Sequence, residues 1–340
     1  MNYIVLQNEN ALYYECKFSC DNAIFLSLGK ERFFITDSRY EIEAKERVEG
    51  ATVVISKNLL DELIATLKSN KVKKVAIDPI EWDLYSFRKV KESLPLKFSY
   101  KPAFSHNKRI IKSAQEIEYL REAVKIGRKS FKAIAKALTE RQGASEQELN
   151  FLAESILRDF GRRDISFEPI LALSENAAKP HALPTERKLQ LDDLILLDAG
   201  VKYKRYCSDR TRTAYYNGET LRFNYKQHFS DKKIQKAYDT VLKAHDKAIA
   251  KARCGMTGSE IDKIARDVIE KAGFGKEFVH STGHGVGLDI HEMPYISAKS
   301  TTVIEDAMVF TIEPGIYIAD AFGIRIEDMV VMQNGRAEVL

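Results

Sequence analysis

Two sets of residues in this chain could do chemistry together. The first is the run His280-Ser281-Thr282-Gly283-His284-Gly285-Val286-Gly287-Leu288-Asp289-Ile290-His291-Glu292. It holds three of the seven histidines at spacings of four and seven, with glycines at 283, 285 and 287. Imidazole is the commonest metal-ligating side chain and a proton carrier near neutral pH. Glycines beside it allow close approach of backbone or substrate. The second set is four carboxylates, Asp198, Asp209, Glu313 and Glu327, each set in an otherwise apolar, strand-like stretch. A bare carboxylate is very costly to bury unless it is paired or bound to a cation. Pairing with Arg210, Arg212 or Arg325 would account for any one of these acids. For all of them together with the histidine segment, a pair of divalent cations is the more economical partner. Oxygen-rich ligation with one imidazole suits Mn²⁺, Fe²⁺, Co²⁺ or Zn²⁺, and the lack of thiolate argues against a structural zinc.

The elements that must position these groups are legible from hydrophobic spacing. Ser113-Ala114-Gln115-Glu116 and Ser145-Glu146-Gln147-Glu148 are capping boxes that open two helices, the second predicted to run to Gly161. Leu194 to Asp198 reads as a strand, and Tyr206 to Thr213 as its returning partner. A polar, aromatic stretch with little periodicity spans 214–232. Two more helices follow, one carrying Ile234, Tyr238, Val241, His245 and Ile249, the other opening on Thr257-Gly258-Ser259-Glu260. Residues 308–318 and 322–332 read as strands bearing Glu313 and Glu327. The pattern of helix pair then strands occurs twice, a weak internal repeat. Residues 1–108 read instead as a small α/β domain. Ala23–Leu28 and Arg32–Thr36 form a hairpin about Gly29-Lys30, and the β-branched runs at 51–55 and 74–77 flank a helical pattern. Pro102 and the polar run Ser105 to Arg109 look like a link to a catalytic domain over 109–340.

Within residues 112–340 the motifs Leu197-Asp198-Ala199-Gly200, Ser208-Asp209-Arg210-Thr211-Arg212-Thr213, His280 to Glu292, Thr311-Ile312-Glu313-Pro314-Gly315 and Gly323-Ile324-Arg325-Ile326-Glu327-Asp328 stand in a fixed order. In this the sequence resembles the methionine aminopeptidase, aminopeptidase P, prolidase and creatinase family with the pita-bread fold. The first domain is similar to that of the prolidase and aminopeptidase P branch. The resemblance implies an α/β (α+β) chain: a small creatinase/prolidase-type domain, then a pita-bread domain with pseudo-twofold helix pairs over a curved antiparallel sheet. It also implies a centre of two divalent ions, Mn²⁺ foremost, held by Asp198, Asp209, His284, Glu313 and Glu327. Two such ions lower the pKa of a bridging water so that hydroxide is available as nucleophile. Glu313 would be the general base, and His280 and His291 hydrogen-bond donors to the substrate carbonyl or the developing oxyanion. His181, between Pro180 and Ala182-Leu183-Pro184, would line the substrate pocket, and Arg325 would orient Glu327 or touch substrate. The implied reaction is cleavage of the Xaa-Pro bond at the N-terminus of peptides (Xaa-Pro aminopeptidase). Prolidase action on dipeptides alone is the alternative. A creatinase-like amidinohydrolase that does without the metal, and a catalytically inactive binding scaffold, are rivals that retention of all five ligand positions counts against.

Composition sets the outer limits. The chain is 44% hydrophobic and 30% charged, with 53 basic against 49 acidic residues and a formal charge of +4. That balance, without a Lys/Arg tract, gives no reason to expect nucleic acid. No apolar run approaches a membrane span, and the N-terminus is polar within seven residues. Cys16, Cys20, Cys207 and Cys254 are expected as buried reduced thiols, Cys16 and Cys20 on one helical face, and the cytoplasm as the place of action. A homo-oligomer, a dimer or larger, is expected from the resemblance.

Overall fold

The computed structural model describes residues 1–6 and 8–340, which form two units, Met1–Arg109 and Ile110–Leu340. In the first unit the alternation of β-branched runs and amphipathic stretches produces six strands: Asn2–Leu6 (β1), Ala23–Leu28 (β2), Glu31–Thr36 (β3), Thr52–Ile55 (β4), Lys74–Ile77 (β5) and Lys97–Tyr100 (β6). The helices are Glu9–Cys16 (α1), Glu41–Arg47 (α2), Leu59–Ser69 (α3), Leu84–Ser93 (α4) and Phe104–Arg109 (α5). The strands form one mixed sheet in the order β4-β3-β2-β1-β5-β6. β2 and β3 make the expected hairpin, and β1 pairs antiparallel with β2 and parallel with β5. One apolar cluster gathers Ile24, Leu26, Ile35 and Leu63, and another Val5, Leu12, Phe25 and Phe34. The polar run expected as a link is in fact helical as α5: the Asp78 carboxylate accepts from the backbone N–H of Phe104 at its start.

The second unit is built from antiparallel pairs and two helix pairs. Ala114–Thr139 (α6) and Glu146–Leu157 (α7) open on capping boxes at Ser113 and Ser145, and both boxes are formed. α7 stops at Leu157 rather than at Gly161, because Asp159, Phe160 and Gly161 all take positive φ (48°, 53° and 97°) and leave the helical region. Ile170–Leu173 (β7), Leu194–Asp198 (β8), Lys202–Tyr203 (β9), Tyr206–Cys207 (β10) and Thr211–Tyr215 (β11) follow. β11, β8 and β7 form a three-stranded sheet in that order, and β9 and β10 a small hairpin. Next come Lys232–Lys251 (α8) and Gly258–Lys271 (α9), the latter capped by Thr257 and Glu260. Gly283–Gly285 (β12), Glu292–Ile296 (β13), Val309–Ile312 (β14), Gly315–Ile318 (β15), Phe322–Arg325 (β16), Asp328–Gln333 (β17) and Arg336–Val339 (β18) complete the chain. The five-stranded order is β13-β12-β14-β17-β18, with β15-β16 as a separate pair.

Each helix pair has its own core. Phe131, Ile134 and Leu138 of α6 and Leu149 and Leu157 of α7 pack on Leu171, Ile195 and Leu197. Tyr238, Val241 and Ala244 of α8 and Ile261, Ala265 and Ile269 of α9 pack on Phe310, Ile312, Ile324 and Val330. The repeat of helix pair and sheet is thus a repeat of two cores, and the backbone joins them where Glu327 N–H donates to Thr211 C=O at 3.1 Å. Cys16, Cys20 and Cys207 are buried free thiols, but Cys254 is only partly covered. Cys16 ends α1 and Cys20 lies beyond it, so the two share no helical face, since Lys17 at the C-cap takes φ 62° and turns the chain away.

Candidate active site

Strand ends, not strand interiors, present the acids. Asp198 is the last residue of β8 and lies opposite Thr211. Asp209 precedes β11, Glu313 follows β14 at the Pro314 break, and Glu327 sits between β16 and β17. The expectation of acids inside continuous strands at 308–318 and 322–332 therefore gives way to two shorter strands each time. The glycines also work otherwise than expected. A Cβ on Gly283 would lie 2.0 Å from Thr311 O, and one on Gly285 2.2 Å from Met293 O. They let β12 nestle against β14 and β13, which fixes His284, rather than admitting substrate.

All nine residues singled out by sequence (His181, Asp198, Asp209, His280, His284, His291, Glu313, Arg325 and Glu327) line one cleft of about 690 Å³. Carboxylate and imidazole ligand atoms of Asp209, His284 and Glu327 lie within 4.8 Å of one another. His284 Nε2 is 3.6 Å from Asp209 Oδ2 and 3.4 Å from Glu313 Oε1. Its Nδ1 lies 3.1 Å from Gly285 O and donates to it, leaving the Nε2 lone pair aimed at the acids, the tautomer a metal ligand needs. Asp198 stands apart from that trio: Arg325 Nη2 donates to its Oδ2 at 2.6 Å, so here the arginine pairing weighed for a single acid is realised. Arg210 and Arg212 instead serve Asp328.

Charge balance decides what this cluster can hold. Four inner carboxylates face Arg325, the only lysine or arginine lining the cleft among the described residues. Asp198 Oδ1 and Glu327 Oε1 are buried with no hydrogen-bond partner. Burial and then the charge of Glu327 push Asp209 well above the usual carboxylate range, while burial and then Glu313 do the same to Glu327. Glu313 is pushed up to about 7, chiefly by burial. Unsatisfied oxygens, hard donors and one correctly oriented imidazole fit divalent cations.

This crowding has a thermodynamic consequence. A carboxylate whose pKa is higher folded than unfolded holds a proton that the unfolded chain has shed, so stability falls as pH rises through that window. For Glu313 the window runs from its ordinary 4.5 to about 7. His280 acts oppositely, because burial lowers it from 6.5 to about 4 and stability rises with pH between those values. Above pH 6.5 the acids act alone. Metal-free protein is therefore expected to lose thermal stability as pH rises from about 6.5 through about 7, where Glu313 gives up its proton, while metal-saturated protein holds its Tm. Melting curves with chelator and with Mn²⁺ test this; a gap that narrows as pH rises would count against a cation at the cluster.

The histidines divide by hydrogen bonding. His280 Nδ1 donates to Ser281 O at 2.7 Å, and its Nε2 accepts from Tyr317 Oη at 2.8 Å. With both nitrogens engaged, His280 offers no free donor in this arrangement, unlike His291. His291 faces the cleft, its ring 4.3 Å from that of His284, and has no hydrogen bond to protein among the described residues. His181 is exposed on the same cleft beside Ala182, Leu183 and Pro184.

Several residues that hold the site were given no role of their own by the sequence. Tyr317 bridges His280 and Arg325, whose Nη1 donates to Tyr317 Oη at 2.7 Å. Thr211 Oγ1 donates to Glu327 Oε2 at 2.7 Å and accepts from Arg325 Nε at 3.1 Å. From α9, Asp262 accepts from Thr282 N and Oγ1, and Arg266 donates to His280 O. Lys112 and Glu292, each 1% exposed, pair at 2.5 Å immediately after His291. Only the capping-box spacing that fixes α9 hinted at any of these. Lys112→Met removes a buried ammonium from the Glu292 carboxylate and is expected to cost about 3–5 kcal/mol in urea unfolding, with Lys112→Met/Glu292→Leu recovering much of it. Equal destabilisation by the single and double variants would show that the pair has no such role.

Comparison with known proteins follows the same lines. Residues 118–334 match metallopeptidase family M24, and residues 1–122 match the creatinase/prolidase N-terminal domain. The Xaa-Pro dipeptidase of Pyrococcus furiosus is 38% identical over 232 residues, which is 68% of this chain and 63% of that protein. The chain thus spans less than two thirds of the length of that relative in the alignment. A structure of Xaa-Pro dipeptidase from Bacillus anthracis superposes with a TM-score of 0.90 at 33% identity, covering 99% of this chain and 92% of that one. An X-Pro aminopeptidase from Thermotoga maritima gives 0.87 at 30% identity, covering 99% and 94%. With these matches and the expected α/β architecture in place, the chain belongs to metallopeptidase family M24, its catalytic-type domain preceded by one of creatinase/prolidase type.

Proposed function

We propose that the protein is a metal-dependent exopeptidase that hydrolyses the bond between a first residue and a following proline, with the aminopeptidase reaction on longer peptides as the first reading. The observation that carries the peptidase reading is the meeting of four carboxylates and one imidazole from separate strand ends in one cleft, with a single guanidinium to offset them. Asp198, Asp209, His284, Glu313 and Glu327 would hold two divalent ions. Mn²⁺ is the first candidate, with Co²⁺, Fe²⁺ and Zn²⁺ compatible with the same donors. When bound, such ions act as Lewis acids on the scissile carbonyl and make a water acidic. Glu313, with a carboxyl poised near neutrality in the metal-free site, takes a proton and returns it to the leaving amine. His291, which makes no hydrogen bond to protein among the described residues, donates to the carbonyl oxygen as it gains charge. Arg325 donates to Asp198 and holds Tyr317, and His280 positions Tyr317 from the other side. His181 with Phe167, Pro169 and Leu183 makes a partly apolar wall suited to a proline ring. The setting we infer is cytoplasmic, and the working form a homo-oligomer with proline-containing peptides as substrate; nothing in the charge pattern calls for nucleic acid. No helix among the described residues is long and apolar enough to cross a membrane.

The names of the Pyrococcus and Bacillus relatives favour a second reading, hydrolysis of dipeptides only. Turnover of a Xaa-Pro dipeptide and a Xaa-Pro tripeptide by Mn²⁺-loaded protein separates the two. Tripeptide cleavage supports the aminopeptidase, and dipeptide cleavage alone supports the prolidase. Metal binding without turnover of either would remove the Xaa-Pro assignment.

A further inference from the structure

A second cleft in the Ile110–Leu340 unit has no part in the chemistry above. It measures about 540 Å³, the size of a small-ligand pocket. Five cations line it: Arg128, Lys132 and Lys136 from α6, Arg210 after Asp209, and Arg222 from the 214–232 stretch. Among the described residues no carboxylate lines it. Residues 128, 132 and 136 recur every four positions, so they stand on one face of α6, where like charges repel one another. Nothing within the helix relieves that repulsion: Lys132 and Lys136 appear in no ion pair among the described residues. Arg210 leans toward the inside. Its Nη1 reaches Asp328 Oδ1 at 3.3 Å, but Asp328 already takes two hydrogen bonds from Arg212, so one carboxylate serves two guanidiniums. The Arg210 Nε is buried and has no acceptor. The floor is apolar: Phe131 and Phe223 meet edge to face at 5.6 Å, with the Arg210 guanidinium 5.5 Å above the Phe131 ring.

We propose that this cleft binds a small anion that carries at least two negative charges on an aromatic body, the class to which nucleoside monophosphates belong. The rim of cations, Arg210 among them, takes the charged group, and the phenylalanine floor takes the ring. This assignment is independent of the peptidase reading, since it uses none of the residues given a catalytic or metal-binding role.

The test is isothermal titration of the full, metal-loaded chain with adenosine monophosphate and with inorganic phosphate, each as the probe. Wild-type protein is expected to bind adenosine monophosphate with a Kd below about 1 mM. Lys132→Glu/Arg222→Glu should weaken it at least about tenfold, and the milder Lys132→Ala/Arg222→Ala should weaken it in the same direction. All four substitutions are at exposed positions, and melting curves check that the variants fold. Inorganic phosphate should bind more weakly than the nucleotide. The proposal is overturned by no binding to the wild type, or by equal affinity in the charge variants, which would place the anion elsewhere, for example at the metal centre. Phosphate binding as tightly as the nucleotide would overturn the aromatic part of the assignment.

Discussion

Asp209→Ala is expected to abolish metal binding and peptidase activity together, while the chain stays folded and in metal-free form melts no lower than wild type. Asp209 sits among Glu327, Asp198 and Glu313, and burial together with those charges holds its carboxyl well above the ordinary range. Removing it relieves repulsion in the metal-free protein, so no stability is lost there. With cations present the account reverses. Asp209 belongs to the trio whose ligand atoms approach within 4.8 Å, and two members cannot hold what three hold. Its backbone N–H meets only the sulfur of Met329, and the flanking β11 register is set by Thr211 to Tyr215, so the strand has no need of this side chain. We expect kcat/KM to fall about a thousandfold or more, and the Tm gain on adding Mn²⁺ to vanish. The measurement is activity and melting temperature side by side. Retained turnover would take Asp209 out of the site, and a collapse of the metal-free Tm would reassign it to folding.

His291→Ala is expected to do the opposite to the two readouts: metal content stays at the wild-type level and kcat falls on the order of a hundredfold. The ring stacks edge-on to His284 at 4.3 Å but, among the described residues, spends neither nitrogen on the protein. A donor left free beside the acids is available to an oxygen that becomes charged only as the reaction proceeds, which is why kcat rather than KM should move. His280→Ala provides the contrast. Because His280 is occupied by Ser281 O and Tyr317 Oη, its loss should act through Tyr317 and Arg325 rather than by removing a donor to substrate. An unchanged kcat in His291→Ala would assign that ring to packing on His284.

What the sequence could and could not show has physical reasons. Amphipathic helices with capping boxes were legible at Ser113, Ser145 and Thr257, because side-chain spacing and local hydrogen bonds determine them within a few residues. The breaks between β14 and β15 and between β16 and β17 were not, because each follows from where a carboxylate must turn out of the sheet, a tertiary demand with no local signal beyond Pro314. The acids and histidines that meet in the cleft were readable since buried acids without partners are rare. Its supporting network of Thr211, Tyr317, Asp262, Arg266, Lys112 and Glu292 was not, since those partners lie up to 180 positions apart and are ordinary residues until the fold joins them. The hydrogen bonds of His280 to Ser281 and Tyr317 were hidden for the same reason: an imidazole in a rich segment looks available until its acceptor and donor are seen.

Crystals of the protein soaked in Mn²⁺ and measured at the manganese absorption edge test the central claim most directly. Two anomalous peaks in the cleft, one of them among Asp209, His284 and Glu327, are the predicted result. Peaks confined to other surfaces, or none within reach of those three side chains, would contradict it.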